Sequence, residues 1–226
     1  MRLFILLSIL VFLISSCGKP KDCPDDFIVY GNVEPYSDIY YVGDTLELYV
    51  KNSCEYVYSR SQEKYYSLRG HRFFSNLSIY QIDSSVTDYY YKLHEFVDII
   101  DDTTFAYEPC YSTDSNSYLL FSSVNQNDSI YSSVKIVLKK KGLFYLSFGI
   151  WNSNVMHCGL SYVYSNYCDT VNFDLCTLLN KGKDNNINFL KESPNDRFNS
   201  WMLHPADKNF YERGGFAYKV IDKYGL

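Results

Sequence analysis

Three features of this chain predict a mainly β fold, an Ig-like antiparallel β-sandwich with one or two short helices. Tyrosine occurs 24 times, beside 15 Phe and 2 Trp, and aromatic rings favour half-buried, pleated surfaces. Apolar and polar residues alternate over short stretches such as Leu46-Glu47-Leu48-Tyr49-Val50-Lys51, the period of a strand with one inward face. Turn residues punctuate these stretches, and several short strands with turns between them suggest a sandwich.

The elements follow in order. Residues 1–16 read as a lipoprotein signal peptide: Arg2 supplies the positive end, Leu3 to Ile14 an apolar run broken only by Ser8, and Ser15 and Ser16 the small residues before a cut. Ile14-Ser15-Ser16-Cys17 matches the bacterial lipobox, which makes Cys17 the site of lipid attachment. The apolar run is shorter than the about 20 residues a spanning helix needs, and no second run of that length follows. Residues 17–26 are polar and proline-punctuated, a lipidated tether. Residues 27–226 then form a single β-sandwich domain.

Gly43-Asp44 turns the chain into the strand around Leu46, Leu48 and Val50, and Leu77 to Ile82 alternates in the same way. Tyr89, Leu93, Phe96, Val97 and Ile100 fall at helical spacing, so Thr87 to Ile100 reads as the one sizeable helix, with a strand pair as its rival. Ile130 to Leu138 and Leu143 to Ile150, joined by Lys139-Lys140-Lys141-Gly142, read as a hairpin. Val163, Val171 and Phe173 mark short strands. Asn185 to Glu192 suits a helical turn, and Trp201 and Met202 suit pins for the irregular stretch from Ser193 to Arg213. Phe216 to Ile221 closes the sheet after Gly214-Gly215.

Loss of residues 1–16 removes Arg2 and takes the net charge from −5 to −6. Such acidity argues against nucleic-acid binding and against adhesion to anionic lipid. With Cys17 lipidated, Cys23, Cys54, Cys110, Cys158, Cys168 and Cys176 remain as disulfide candidates or buried thiols. Cys158 and Cys168 are the favoured local pair, with Cys176 a rival partner for either.

No catalytic residue, metal or cofactor is expected, and the chain reads as a non-enzyme. His94-Glu95-Phe96-Val97-Asp98 comes near the HExxH zinc motif, but Asp98 stands where the second histidine should be. His71, His157 and His204 are scattered, and His157 beside Cys158 is adjacency in sequence only. Asp98, Asp101 and Asp102 read as a charged loop. No GxSxG elbow, phosphate loop or EF-hand loop is present. The tyrosines carry the functional reading. Sugars stack on exposed rings, which makes Tyr89-Tyr90-Tyr91, Tyr65-Tyr66, Tyr40-Tyr41 and Trp151 candidates for ligand binding. The competing reading places these rings at the core edge with their hydroxyls in water.

Tyr40-Tyr41-Val42-Gly43-Asp44-Thr45-Leu46 near one end and Gly214-Gly215-Phe216-Ala217-Tyr218-Lys219-Val220 near the other resemble the strand boundaries of a loose group of Bacteroidota cell-surface lipoproteins with an Ig-like β-sandwich. Lys19, Asp22, Asp25 and Asp26 loosely resemble the surface-export signal of such proteins. The resemblance implies an outer-membrane, lipid-anchored, surface-exposed protein. It carries no functional residue across. The expected function is a non-catalytic binding or surface-interaction module that takes glycans on exposed tyrosines. The alternative is a structural or adhesin-type subunit pairing with another surface protein.

Overall fold

The computed structural model describes residues 26–69, 73–83, 93–100, 118–126, 128–152, 175–201 and 210–223. Cys17 and the segment expected to be a tether, up to residue 25, lie outside them. The strands are β1 (Phe27–Glu34), β2 (Ile39–Tyr41), β3 (Thr45–Ser53), β4 (Val57–Ser59), β5 (Lys64–Tyr66), β6 (Phe73–Gln81), β7 (Val97–Ile100), β8 (Tyr118–Gln126), β9 (Ser129–Leu138), β10 (Gly142–Asn152), β11 (Leu175–Leu179) and β12 (Gly215–Ile221).

They form a two-layer, mainly β sandwich. The first sheet runs β11-β1-β3-β9-β7, with β4 pairing the start of β1 and β5 pairing β4. The second runs β2-β12-β10-β6-β8. β8 links the layers, pairing β6 from Tyr118 to Ser123 and β9 from Val124 to Gln126. Most pairs are antiparallel, as expected, but β1 with β11 and β2 with β12 are parallel.

The alternation seen in the sequence sets the core. Phe27, Val29 and Val33 of β1, Leu46, Leu48 and Val50 of β3, and Ile130, Ile136 and Leu138 of β9 point inward. They meet Phe144, Leu146, Phe148 and Ile150 of β10 and Leu77 and Ile79 of β6. Ser75 on β6 and Ser132 on β9 are fully buried and hydrogen-bond to each other across the layers, which satisfies two polar groups that would be costly alone.

Two expectations are corrected. β9 and β10 are not a hairpin: β9 pairs β3 along its length, while β10 lies in the other sheet between β6 and β12. Lys139 to Lys141 are long enough to cross the about 10 Å between packed sheets, so both strands face one core from opposite sides. Among the described residues the helix likewise covers only Leu93–Phe96, and Val97–Ile100 is strand β7, paired with β9. β-branched Val97, Ile99 and Ile100 suit a pleated edge better than a helix. Residues 84–92 and the strand markers Val163, Val171 and Phe173 lie outside the described residues.

The second sheet is covered on its outer face as well. Ile82, Leu143 and Tyr145 pack there against Leu190, Phe198 and Phe210. Leu190 sits in the helical turn Asn188–Lys191, within the expected segment. Phe198 and Phe210 act as pins there, and the expected pins, the Trp201 side chain and Met202, lie outside the described residues.

At the end of the sandwich reached by β1 at Glu34, three asparagines join the layers. Asn180, Asn185 and Asn186 all have positive φ, which asparagine tolerates better than most residues. The Val33 N–H donates to Asn180 Oδ1 (3.0 Å), and Asn180 Nδ2 donates to Asn185 Oδ1 (2.8 Å). The Ala217 N–H donates to the Asn185 carbonyl (3.0 Å), and Asn186 Nδ2 donates to the Ala217 carbonyl (2.8 Å). β1 of one sheet is thereby tied to β12 of the other.

Cys54 and Cys176, the two cysteines among the described residues, are both buried and are not bridged to each other. They sit on separate elements: Cys54 follows β3, and Cys176 lies on β11. Burial pushes the Cys54 thiol up and the Cys176 thiol up to about 12. Cys23, Cys110, Cys158 and Cys168 lie outside the described residues.

Candidate functional site

Among the described residues the large exposed apolar side chains, apart from Ile100 on β7, gather at the two opposite ends of the sandwich. The first group lies where β1 begins. Ile28 faces Tyr58 of β4, and Tyr58 faces Tyr65 of β5. Side chains directly opposite share one face of the sheet, so Tyr58 and Tyr65 are neighbours, with ring centroids 5.3 Å apart and planes crossing at 58°. Tyr65 is 67% exposed and Tyr56, just before β4, is 71% exposed. Tyr30, two residues along the same face of β1, is exposed too. There the side-chain amide of Asn52 replaces a ladder rung, accepting the Tyr30 N–H (3.1 Å) and donating to the Tyr30 carbonyl (2.8 Å).

The chain entering this end is pinned by Arg60. Its Nε and Nη2 donate to the two carboxylate oxygens of Asp26 (2.8 and 2.6 Å), and Nη1 donates to Glu212 Oε1 (2.6 Å). The Arg60 N–H also donates to the Asp26 carbonyl (3.1 Å). Hydrogen bonds donated to Glu212, then to Asp26, hold the guanidinium still more firmly charged than usual.

The second group lies at the other end, on and beside β2: Tyr36, Ile39 and Tyr41, all exposed. Ile39 and Tyr41 share the outward face, while Tyr40 between them points inward. Tyr36 leans on Phe216 (5.8 Å between centroids), and Lys183 Nζ stands 5.3 Å above its ring. Partial burial, then Asp184, raise the Tyr36 phenol above its ordinary value. Tyr40 donates its hydroxyl to the Pro35 carbonyl (2.6 Å), accepts the Ser37 N–H (2.9 Å), and is pushed up to about 12 by burial.

β2 is an edge strand with its backbone already occupied. Asp38 and Val42 face β12 through the Lys219 N–H and the Ile221 carbonyl, so the polar groups of Ile39 and Tyr41 face away. The Ile39 N–H donates to Ser37 Oγ (3.2 Å), which itself donates to the Ile39 carbonyl (2.8 Å). Asp44 holds the Tyr41 N–H on its carboxylate (2.8 Å) and donates its own N–H to the Tyr41 carbonyl (3.0 Å). An edge closed in this way offers no template for an added strand.

Of the ligand-binding candidates read from the sequence, Tyr41 and Tyr65 are presented to solvent, and Tyr40 is buried. Tyr66 turns inward, half-buried edge-on to Phe27 at 6.0 Å. Tyr89, Tyr90 and Tyr91 lie outside the described residues, as does the side chain of Trp151. His94 ends up on the helical turn and Asp98 on β7, where Asp98 pairs with Lys139 Nζ at 2.8 Å. The helix stops between them, so they do not share the helical face that the zinc motif requires. Among the described residues no group of three or more His, Cys, Asp or Glu could hold a metal ion. Asp101, Asp102, His71, His157 and His204 lie outside them. Tyr30, Tyr36, Ile39, Tyr56 and Tyr58 were not singled out by the sequence. The Tyr56-Val57-Tyr58 alternation was the one available signal.

No protein-family model matches the chain, and no curated protein matches it. Several solved structures are similar to part of the chain. One is the type II cohesin dyad from the adaptor ScaA scaffoldin of Acetivibrio cellulolyticus, with 8% identity over 66% of this chain and 46% of that chain and a TM-score of 0.34. Another is a type II cohesin domain from the cellulosome of the same organism, with 8% identity over 66% of this chain and 91% of that chain and a TM-score of 0.33. A third is the human F-spondin reeler domain (fragment 2), with 14% identity over 62% of this chain and 84% of that chain and a TM-score of 0.31. The match spans about half the length of the cohesin dyad. None of these likenesses bears on a residue of the site.

Proposed function

We propose that the chain is a non-catalytic surface-interaction module, lipid-anchored through Cys17 outside the cytoplasm, which presents the β2 end of its sandwich to another surface protein. The observation that carries this is the grouping of Tyr36, Ile39 and Tyr41, exposed together on an edge whose backbone is closed. Tyrosines beside an aliphatic side chain are typical anchors of protein interfaces. With Ile39 and Tyr41 already hydrogen-bonded, such a contact uses side chains rather than an added strand. The anchor rests on the lipobox, and the place at the outer membrane on the resemblance to Bacteroidota surface lipoproteins.

The test is in-cell photo-crosslinking with a benzophenone amino acid at Ile39 and, as reference, at Lys135 on the open face of the first sheet. A discrete protein adduct at Ile39 and none at Lys135 is the expected result. No adduct at Ile39, nor with the crosslinker moved to Tyr36 or Tyr41, would sink the proposal. Binding to a glycan array that is lost on Tyr65→Ala and kept on Tyr41→Ala would make the module a sugar-capturing one instead.

A further inference from the structure

Asp26, where the described chain begins, is clamped by Arg60. Residue Cys17 lies nine steps further back, a reach of at most about 30 Å. The chain enters β1 directly beside the exposed rings, because Ile28 faces Tyr58 and Tyr58 faces Tyr65. Neighbouring strands stand about 4.8 Å apart, so Tyr65 is roughly 10 Å from Ile28. The Tyr36, Ile39 and Tyr41 group sits beyond the other end of β1, about 25 Å along the strand.

We propose that Tyr30, Tyr56, Tyr58 and Tyr65 form a membrane-docking face that seats the domain on the bilayer holding its own lipid. This rests on the Cys17 anchor proposed above. Tyrosine is enriched at bilayer interfaces because its ring is apolar and its hydroxyl prefers water and headgroups. A short tether makes docking intramolecular, so even a weak contact is populated at the resulting effective concentration.

Charge near the rings does not oppose the contact. The chain is acidic overall, but Lys51 and Lys64 are exposed beside the cluster and make no ion pair among the described residues. Arg69 pairs with Glu55 and with Asp128, and Arg60 pairs with Asp26, which leaves Glu63 as the exposed carboxylate at the β4–β5 turn. A sugar fits less well. Rings crossing at 58° share no plane on which a pyranose could lie, whereas a deformable lipid interface needs none.

The experiment uses the full lipidated chain in phosphatidylcholine vesicles whose acyl chains carry bromine, a contact quencher of indole emission. Tyr65→Trp and Tyr56→Trp are compared with Tyr41→Trp, each after subtraction of the unsubstituted chain. The expected result is several-fold stronger quenching at the first two positions than at Tyr41→Trp. Equal quenching at all three, or none at Tyr65→Trp and Tyr56→Trp, overturns the docking face. Unquenched rings that bind a glycan array, or whose emission changes on self-association, overturn it in favour of a sugar or a second copy. Mass spectrometry of the N-terminal peptide separates the two readings: no lipid on Cys17 overturns the anchor and the docking with it, whereas a lipidated, unquenched chain overturns the docking alone.

Discussion

Asp44 holds both outward-facing backbone groups of Tyr41, accepting its N–H at 2.8 Å and donating to its carbonyl at 3.0 Å. Ser37 does the same for Ile39 through one hydroxyl. The edge of the second sheet is therefore sealed by local side chains rather than by another strand.

Replacing both caps, by Ser37→Ala with Asp44→Ala, should reopen that edge. Each lost bond costs about 1–2 kcal/mol, and the freed N–H and carbonyl of Ile39 and N–H of Tyr41 become a pairing template, while the Tyr41 carbonyl keeps the backbone N–H of residue 44. Sedimentation velocity should show the double variant self-associating at concentrations where the unchanged chain is monodisperse. A variant equally monodisperse would show that the caps are dispensable.

Alkali should destabilise the fold before acid chemistry matters. Tyr40 moves from an ordinary value of 10.0 to about 12, and Cys176 from 9.0 to about 12, both chiefly through burial. Fully buried Tyr145 and Tyr218 shift upward as well. A raised folded value favours the neutral group in the native state. The associated stability is complete below about pH 9 and lost as pH rises towards 12. Melting temperatures should fall steeply from pH 9 to 12 and less steeply in Tyr40→Phe. A flat profile would contradict these assignments.

Cys176 should be inert in the native protein. Its thiolate is disfavoured and its sulfur buried, so iodoacetamide at pH 8 should label it only after unfolding. Peptide mapping of native and urea-treated samples reads this directly, and prompt native labelling would contradict the burial.

Phe198 and Phe210 hold the C-terminal segment against the second sheet. Phe210→Ala should cost about 3–5 kcal/mol, the usual range for a buried aromatic. Limited proteolysis should then cut between residues 185 and 213 before any other part of the domain. Unchanged protection there would show that the second core is not needed to retain the segment.

The sequence revealed which residues alternate but not which strands they meet. Leu46, Leu48 and Val50 were placed inward correctly, as were the strands at Leu77 and Phe216, because period-two burial is a local property. The Ile130 and Leu143 strands were read as a hairpin because two strands facing one core from opposite layers carry the same alternation. Adjacent tyrosines posed a similar problem. In Tyr40-Tyr41 and Tyr65-Tyr66 one ring must point in and one out, yet only the register shows that Tyr41 and Tyr65 are the exposed members. Tyr30, Tyr56 and Tyr58 come together through pairings between β1, β4 and β5, which no local pattern encodes.

The place of β1 has a mechanical consequence. Tyr36, Ile39 and Tyr41 follow its last residue, Glu34, directly in the chain. Under the anchor and partner proposed above, a pull between them runs along the extended β1 backbone. The rungs to β3, β4 and β11 lie across that line, so they hold the strand in place without bearing the pull. One covalent strand then takes the tension, and the core beside it is left unloaded.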